Sequence, residues 1–290
     1  MPRVANALSI ATAVSLALLA GASPVQPAQA AVETDCGIEM PCRIETGEYR
    51  IRFPAGWDGK TPLGAIIFLH GWRGTAAGEM RNAAWARLAD RLNVAFVAPQ
   101  GAGKTWSYPG APRDLRDDFA FFDALIKDLT TRFPLRADRM MATGFSMGGS
   151  MVWNLACYRG GLFAGFAPIA GAFWDPIPKN CPSPAPVMFH VHGTADRTVP
   201  LEGRPIGERW RQSDVADSLA VWQAQAGLPL VFPASAPDSG LTCQRQQAQA
   251  RSGPAAPLLE VCLHSGGHSV RAEWVERAWR ALGDHLGWPD

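Results

Sequence analysis

Hydrophobic positions in this chain follow two periods in turn, and the alternation predicts an architecture. Residues 49–53 alternate apolar and polar as a half-buried strand does. Residues 64–69 and 94–98 are unbroken apolar runs, the pattern of strands in a sheet covered on both faces. Between them Trp85, Leu88, Ala89 and Leu92 recur at helical spacing, predicting an amphipathic helix that stops at Asn93. Phe122, Leu125, Ile126, Leu129 and Phe133 form a second stripe, closed by Pro134. A strand through Met140 then runs into a turn and a helix from Ser150, and further strands are expected at 166–170 and 187–191. Helical composition returns over 213–225, and Val275, Ala278, Trp279, Leu282 and Leu286 predict a closing helix. Strand and helix alternate throughout, so the expected class is α/β, a mostly parallel central sheet with helices on both faces. Residues 226–257, rich in Pro, Gly, Ala, Ser and Gln, read as a long surface excursion.

The first residues change this picture. Arg3, the apolar stretch 7–22 and Ala28-Gln29-Ala30 have the layout of a signal peptide with a small-x-small cleavage site. The stretch is short for a bilayer span, so no membrane anchor is expected. The organisation is therefore residues 1–30 as signal peptide and 31–290 as one catalytic domain. A formal net charge of +1 over 290 residues offers nothing that would draw nucleic acid. All six cysteines lie beyond residue 30, and an even count in an oxidising compartment implies three disulfides. Local pairing is the simplest arrangement: Cys36–Cys42, Cys157–Cys181 and Cys243–Cys262. The absence of C-x-x-C argues against a zinc ribbon or a redox motif, and neither metal nor organic cofactor is expected.

Candidate chemistry centres on Gly144-Phe145-Ser146-Met147-Gly148, which fits G-x-S-x-G between an apolar strand and a helix. In that motif a strained strand-to-helix turn exposes a serine hydroxyl above a sheet. A serine needs a base to become a nucleophile, and on this scaffold acid and base follow it in the order Ser, Asp or Glu, His. Asp196 lies just past the apolar run 187–191, and His268 ends a later apolar run in a Gly-Gly loop. Both are placed to be aimed from strand ends. Most of the other carboxylates between Ser146 and His268 (Asp175, Glu202, Glu208, Asp214, Asp217, Asp238 and Glu260) sit in polar stretches and read as solvated, and His190 reads as a core residue. His70 and His192 sit at strand–loop junctions that could brace the site, and His285 belongs to an exposed helix face. An oxyanion hole would use the amide of Met147 and that of Trp72, with Gly71 as fallback.

One motif is a decoy. Gln100-Gly-Ala-Gly-Lys104-Thr105 resembles the end of a phosphate loop, but Ala98 stands where the first glycine belongs, and Pro109 follows where a helix should open. The same loop makes Trp106 and Tyr108 candidates to line an acyl or alcohol pocket.

From Cys36 to the last helix the chain resembles the polyhydroxybutyrate depolymerase and feruloyl esterase group of secreted serine esterases, carbohydrate esterase family 1 in the alpha/beta-hydrolase superfamily. The resemblance rests on Phe68-Leu-His-Gly-Trp72, Ala142-Thr-Gly-Phe-Ser-Met-Gly-Gly149, His192-Gly-Thr-Ala-Asp196 and Gly266-Gly-His268. It implies an alpha/beta-hydrolase fold and a nucleophile, acid and base at Ser146, Asp196 and His268. Members often continue Gly-Gly-His with Trp-Pro; here Ser269-Val270 follows. The expected activity is hydrolysis, through an acyl-enzyme, of short 3-hydroxybutyrate oligomers or of aryl and acetyl esters of plant polysaccharides. An acyltransferase on the same fold is the nearest rival, and a non-catalytic binding protein on a hydrolase scaffold the rival from another class. The expected partner is a small or oligomeric ester, and the expected location is secreted or periplasmic.

Overall fold

A computed structural model describes residues 1–2, 36–229, 231–233, 240–247 and 256–288. The expected signal peptide thus lies outside the described residues, its first two positions aside. In chain order the elements are β1 (Cys42–Ile44), β2 (Gly47–Arg52), β3 (Leu63–Leu69), α1 (Ala76–Arg81), α2 (Ala83–Leu92), β4 (Ala95–Pro99) and α3 (Asp118–Arg132). Then come β5 (Leu135–Phe145), α4 (Met147–Tyr158), β6 (Gly165–Ile169), β7 (Val187–Gly193) and the hairpin β8 (Arg204–Ile206)–β9 (Trp210–Gln212). The chain closes with α5 (Val215–Ala226), β10 (Thr242–Gln247), β11 (Leu258–His264) and α6 (Ala272–Leu286).

Nine strands form one sheet in the order β1-β2-β4-β3-β5-β6-β7-β11-β10. The six strands from β4 to β11 in that order are mutually parallel, and antiparallel pairs occupy both margins. This is the predicted α/β class, and its cause is visible along each apolar run. In β3, Ala65, Ile67 and Leu69 join the core under α3, α4 and α5, while Ile66 and Phe68 join the core under α1, α2 and α6. A strand buried on both faces favours apolar residues along its length. Strands β3, β4, β6, β7 and β11 are buried throughout, with His190, His192, Glu260 and His264 the polar side chains that β7 and β11 take into that interior.

Helix ends follow local chemistry. Asp117 caps α3 by accepting from the Ala120 amide at 3.0 Å, and Asn93 ends α2 in the left-handed region at φ 49°. Because the six parallel strands point one way, the loops after β3, β4, β5, β7 and β11 emerge along one edge of the sheet. Such edges collect ligand and catalytic groups in α/β folds.

Two features depart from the sequence reading. The 226–257 stretch carries an edge strand, β10, in its middle, although other parts of it lie outside the described residues. Its sequence, Thr-Cys-Gln-Arg-Gln-Gln, shows no apolar alternation because no position of this edge strand is fully buried. Pairing with β11 and a covalent bridge hold it instead. The β8–β9 hairpin has no readable period either, its strands being three residues each.

The three disulfides Cys36–Cys42, Cys157–Cys181 and Cys243–Cys262 are all present, with Cα separations of 4.9, 4.7 and 4.0 Å. The last joins direct cross-strand partners in the β10–β11 ladder. In the chain-entropy picture a bridge spanning 19 residues restricts the unfolded chain by roughly 3 kcal/mol. Replacing both Cys243 and Cys262 by Ser is therefore expected to lower the thermal midpoint by several degrees in calorimetry; an unchanged midpoint would remove the bridge from the stability account.

Candidate active site

Ser146 joins β5 to α4 with φ 58° and ψ −120°, a backbone conformation that ordinary residues rarely adopt. Such strain costs on the order of 1–3 kcal/mol and persists only where surroundings over-determine it. Here the Ser146 amide donates to the Ile169 carbonyl at 2.9 Å, and the Ser146 carbonyl accepts the Ser150 amide at 2.9 Å. The turn also needs close approach: a Cβ at Gly148 would lie 2.1 Å from the Leu69 carbonyl oxygen. The hydroxyl makes no helix-capping bond. It projects at the start of α4, as the motif predicts.

Asp196 and His268 meet. His268 Nδ1 donates to Asp196 Oδ2 at 2.6 Å, while the amides of Thr198 and Val199 donate to Oδ1 at 2.8 and 2.9 Å. Burial alone would raise this carboxyl, but the bonds from His268, Val199 and Thr198 outweigh it and hold Asp196 below the ordinary aspartate value. The two loops are fastened to each other by Thr194 N to His264 O at 2.8 Å and Ala195 N to Gly266 O at 3.2 Å. Gly193 permits this, since a Cβ there would fall 2.3 Å from the Gly266 oxygen. The imidazole of His268 packs on the ring of Phe145, 4.5 Å between centroids, one residue before Ser146. Among the described residues no hydrogen bond joins the Ser146 hydroxyl to His268. Such bonds are often long in unliganded sites and tighten with substrate.

Opposite them lies the loop after β3. A Cβ on Gly71 would stand 3.5 Å from that of Ser146, so this loop abuts the serine. Its Arg73 and Gly74 amides are already engaged, with Lys104 O and Gly71 O, both at 2.9 Å. That leaves the amides of Gly71 and Trp72, beside that of Met147 at the first turn of α4, without an intramolecular acceptor among the described residues. The loop after β4 clamps this one from behind. Gly101 N donates to His70 Nε2 at 3.1 Å, and Trp106 Nε1 donates to His70 O at 2.8 Å. The phosphate-loop decoy is thus a brace: Ala102–Lys104 forms a single 3₁₀ turn whose Lys104 carbonyl holds Arg73.

Trp106 needs correction as a pocket residue. It is fully buried, packs between His70 and Phe122, and spends its indole N–H on the His70 carbonyl. Tyr108 is 7% exposed and lines a cleft of about 660 Å³ with Ser107, Gly110, Arg116 and Phe119; its hydroxyl donates to Met147 Sδ at 3.2 Å. The Trp72 side chain, by contrast, is 58% exposed on the rim.

Behind Asp196 runs an array of imidazoles. His192 Nε2 lies 2.7 Å from the Val199 carbonyl and must carry the proton there. His192 Nδ1 is then an acceptor, so His190 Nε2, 3.0 Å away, is the donor. Both tautomers follow from one carbonyl. His192 Nε2 also stands 3.7 Å from Asp196 Oδ2. His285, read as exposed, instead bonds the Ala256 carbonyl at 2.8 Å. Glu260, set in the apolar run of β11, is buried and held by Arg245 at 2.7 Å and by Arg277. Its charge was legible, but its two arginine partners come from distant positions. Among the described residues one group has metal-like spacing, Cys243, Glu260 and Cys262, and its two sulfurs are joined in the disulfide.

No protein-family model matches the chain. It is 29% identical to the putative esterase NocK of Nocardia uniformis subsp. tsuyamanensis, over 91% of this chain and 88% of that protein. It is 27% identical to the probable feruloyl esterase C of Aspergillus niger, over 64% of this chain and 68% of that one. Among solved structures, the acetyl xylan esterase of Aspergillus awamori superposes with a TM-score of 0.54 at 13% identity, covering 81% of this chain and 94% of that one. The superposition shows a shared fold.

Burial is the leading cause that holds His70, His190, His192 and His264 below the ordinary histidine value. A depressed folded-state pKa contributes stability that is present above the unfolded value of about 6.5 and lost as pH falls through the folded one. Thermal midpoints are therefore expected to decline steadily from pH 7.5 to pH 5. Asp196 extends the loss below its ordinary value of 3.8. A midpoint flat across pH 7.5 to 5 would contradict the neutral, buried array.

Proposed function

We propose that this chain, a carboxylic-ester hydrolase of the alpha/beta-hydrolase superfamily, cleaves its substrate through an acyl-enzyme on Ser146. The observation that carries the reading is the Asp196–His268 hydrogen bond of 2.6 Å beside a serine held at φ 58°. Ser146 Oγ attacks the ester carbonyl while His268 Nε2 takes its proton. Asp196, bonded to Nδ1, fixes the tautomer and stabilises the imidazolium that forms. The negative charge that develops on the carbonyl oxygen is received by the Met147 amide and by that of Trp72 or Gly71. His268 then returns the proton to the leaving alcohol, and water repeats the sequence to free the acid and the serine.

The favoured substrates are aryl and acetyl esters of plant polysaccharides, as the names of the similar proteins suggest. Short 3-hydroxybutyrate oligomers stand second, resting on the motif resemblance alone. Residues 1–30 are proposed as an export signal, with 31–290 as the catalytic domain. Three disulfides fit a secreted or periplasmic location.

Ser146→Ala is expected to lower turnover of p-nitrophenyl acetate and methyl ferulate by roughly 10⁴-fold or more with the melting curve unchanged. A variant that keeps wild-type turnover would end the nucleophile assignment.

His192 is expected to act as a positioning residue, holding the Val199 carbonyl and through it the Asp196 loop. His192→Leu removes that donor, and a misplaced acid–base pair typically costs up to ~10²-fold in rate. The loss should fall on kcat with KM little changed, and His192→Gln, which keeps an N–H, should recover much of it. Equal kcat in both variants and wild type would show that His192 only fills space.

A further inference from the structure

At the opposite end of the sheet, away from Ser146, lies a cleft of about 510 Å³, walled by Arg91, Arg139, Arg280, Trp279, Asp284 and Trp288 among others. Its volume is within the range that small-molecule sites take, about 300–1,000 Å³. Arg139 lies in β5, seven residues before Ser146 at its far end, about 20 Å away at strand rise. The cleft therefore belongs to no part of the candidate active site.

Its three arginines are not equivalent. Glu276 receives Arg91 at 2.6 Å and Arg280 at 3.0 Å, so both of those guanidinium groups already have a carboxylate partner, although one carboxylate offsets only one of the two charges. The Arg139 side chain forms no ion pair or hydrogen bond, its Nε is buried without an acceptor, and Asp138, the nearby carboxylate its charge acts on, is itself paired with Arg136 at 2.6 Å. Its contact is with the face of Trp288, whose centroid lies 5.7 Å from the guanidinium carbon. Nε is shielded from the cleft, but the terminal nitrogens are not buried and make no bond either, so they are the donors that a ligand in the cleft could reach. Trp279 and Trp288 pack at 4.9 Å with 54° between their planes, forming an aromatic wall next to that charge. A fork of N–H donors suits a planar oxyanion, and indoles suit a flat apolar ring.

We infer that this cleft is a second ligand site, selective for small aryl monocarboxylates, with the carboxylate on Arg139 and the ring against Trp279 and Trp288. Asp284 is exposed at the rim and opposes an anion there. The site stands whether or not Ser146 is the nucleophile.

The test is calorimetric titration of the full chain after treatment with a bulky fluorophosphonate, so that an active serine site is blocked. Benzoate is the probe, with benzyl alcohol and inorganic phosphate as controls. Benzoate is expected to bind one per chain with a Kd at or below ~1 mM, and neither control should bind comparably. Arg139→Gln should weaken benzoate at least ten-fold while leaving ester turnover unchanged, and Asp284→Asn should tighten it. Should Arg139→Gln not fold, Arg139→Lys, which keeps the charge without the planar fork, and Trp288→Ala should each weaken binding. Absence of benzoate binding to the native chain, equal binding to the Arg139 variants, or equal affinity for either control would overturn the proposal. A chain that binds benzoate as expected yet takes no fluorophosphonate would count against the Ser146 reading alone.

Discussion

The position of the Asp196 carboxylate is the constraint from which the rest of the candidate site follows. One oxygen is fixed by two backbone amides of its own loop, and the other is left to a single imidazole N–H. With both oxygens satisfied, the group can remain charged in a place where an unpaired carboxylate would take up a proton. The His268 ring has one hydrogen-bonded orientation available, Nδ1 toward Asp196, which frees Nε2 for the serine side. The Val199 carbonyl extends the same logic backward: because it needs a donor, it sets the tautomer of His192 and then of His190.

Around that carboxylate, backbone contacts do the placing. The loops after β7 and β11 are joined by direct amide–carbonyl bonds, which tie the segment carrying Asp196 to the one carrying His268. The loop after β3 is gripped through His70 and Arg73 by the loop after β4. These fixings leave three amides near Ser146, at Gly71, Trp72 and Met147, without an intramolecular acceptor among the described residues. Unspent backbone donors are what stabilisation of a developing oxyanion draws on.

Much of this was legible in the sequence because the signals were strong and local. Unbroken apolar runs marked the buried parallel strands, and Asn93 and Pro134 ended helices for stated reasons. Ser146, Asp196 and His268 could be chosen because each follows an apolar run directly, and strand ends are where a parallel sheet delivers side chains. The cysteine pairs were found because neighbours in sequence were also neighbours in space. What escaped notice depends on partners far apart in the chain. Trp106 looked like a pocket residue until its N–H was seen to hold His70, thirty-six positions earlier. The partners of Glu260 could not be read locally, because Arg245 and Arg277 come from other elements. β10 had no hydrophobic period to read, since an exposed edge strand has no face to bury.

The central claim is that Ser146 is acylated, in a site aimed by Asp196 through His268. Its most direct measurement is mass spectrometry of the enzyme quenched in acid within the first turnover of p-nitrophenyl acetate. The account predicts one acetyl group per chain in the wild type, located on the peptide carrying Ser146, and none in Ser146→Ala. Acetylation elsewhere, or steady release of nitrophenol without any acylated peptide, would contradict it.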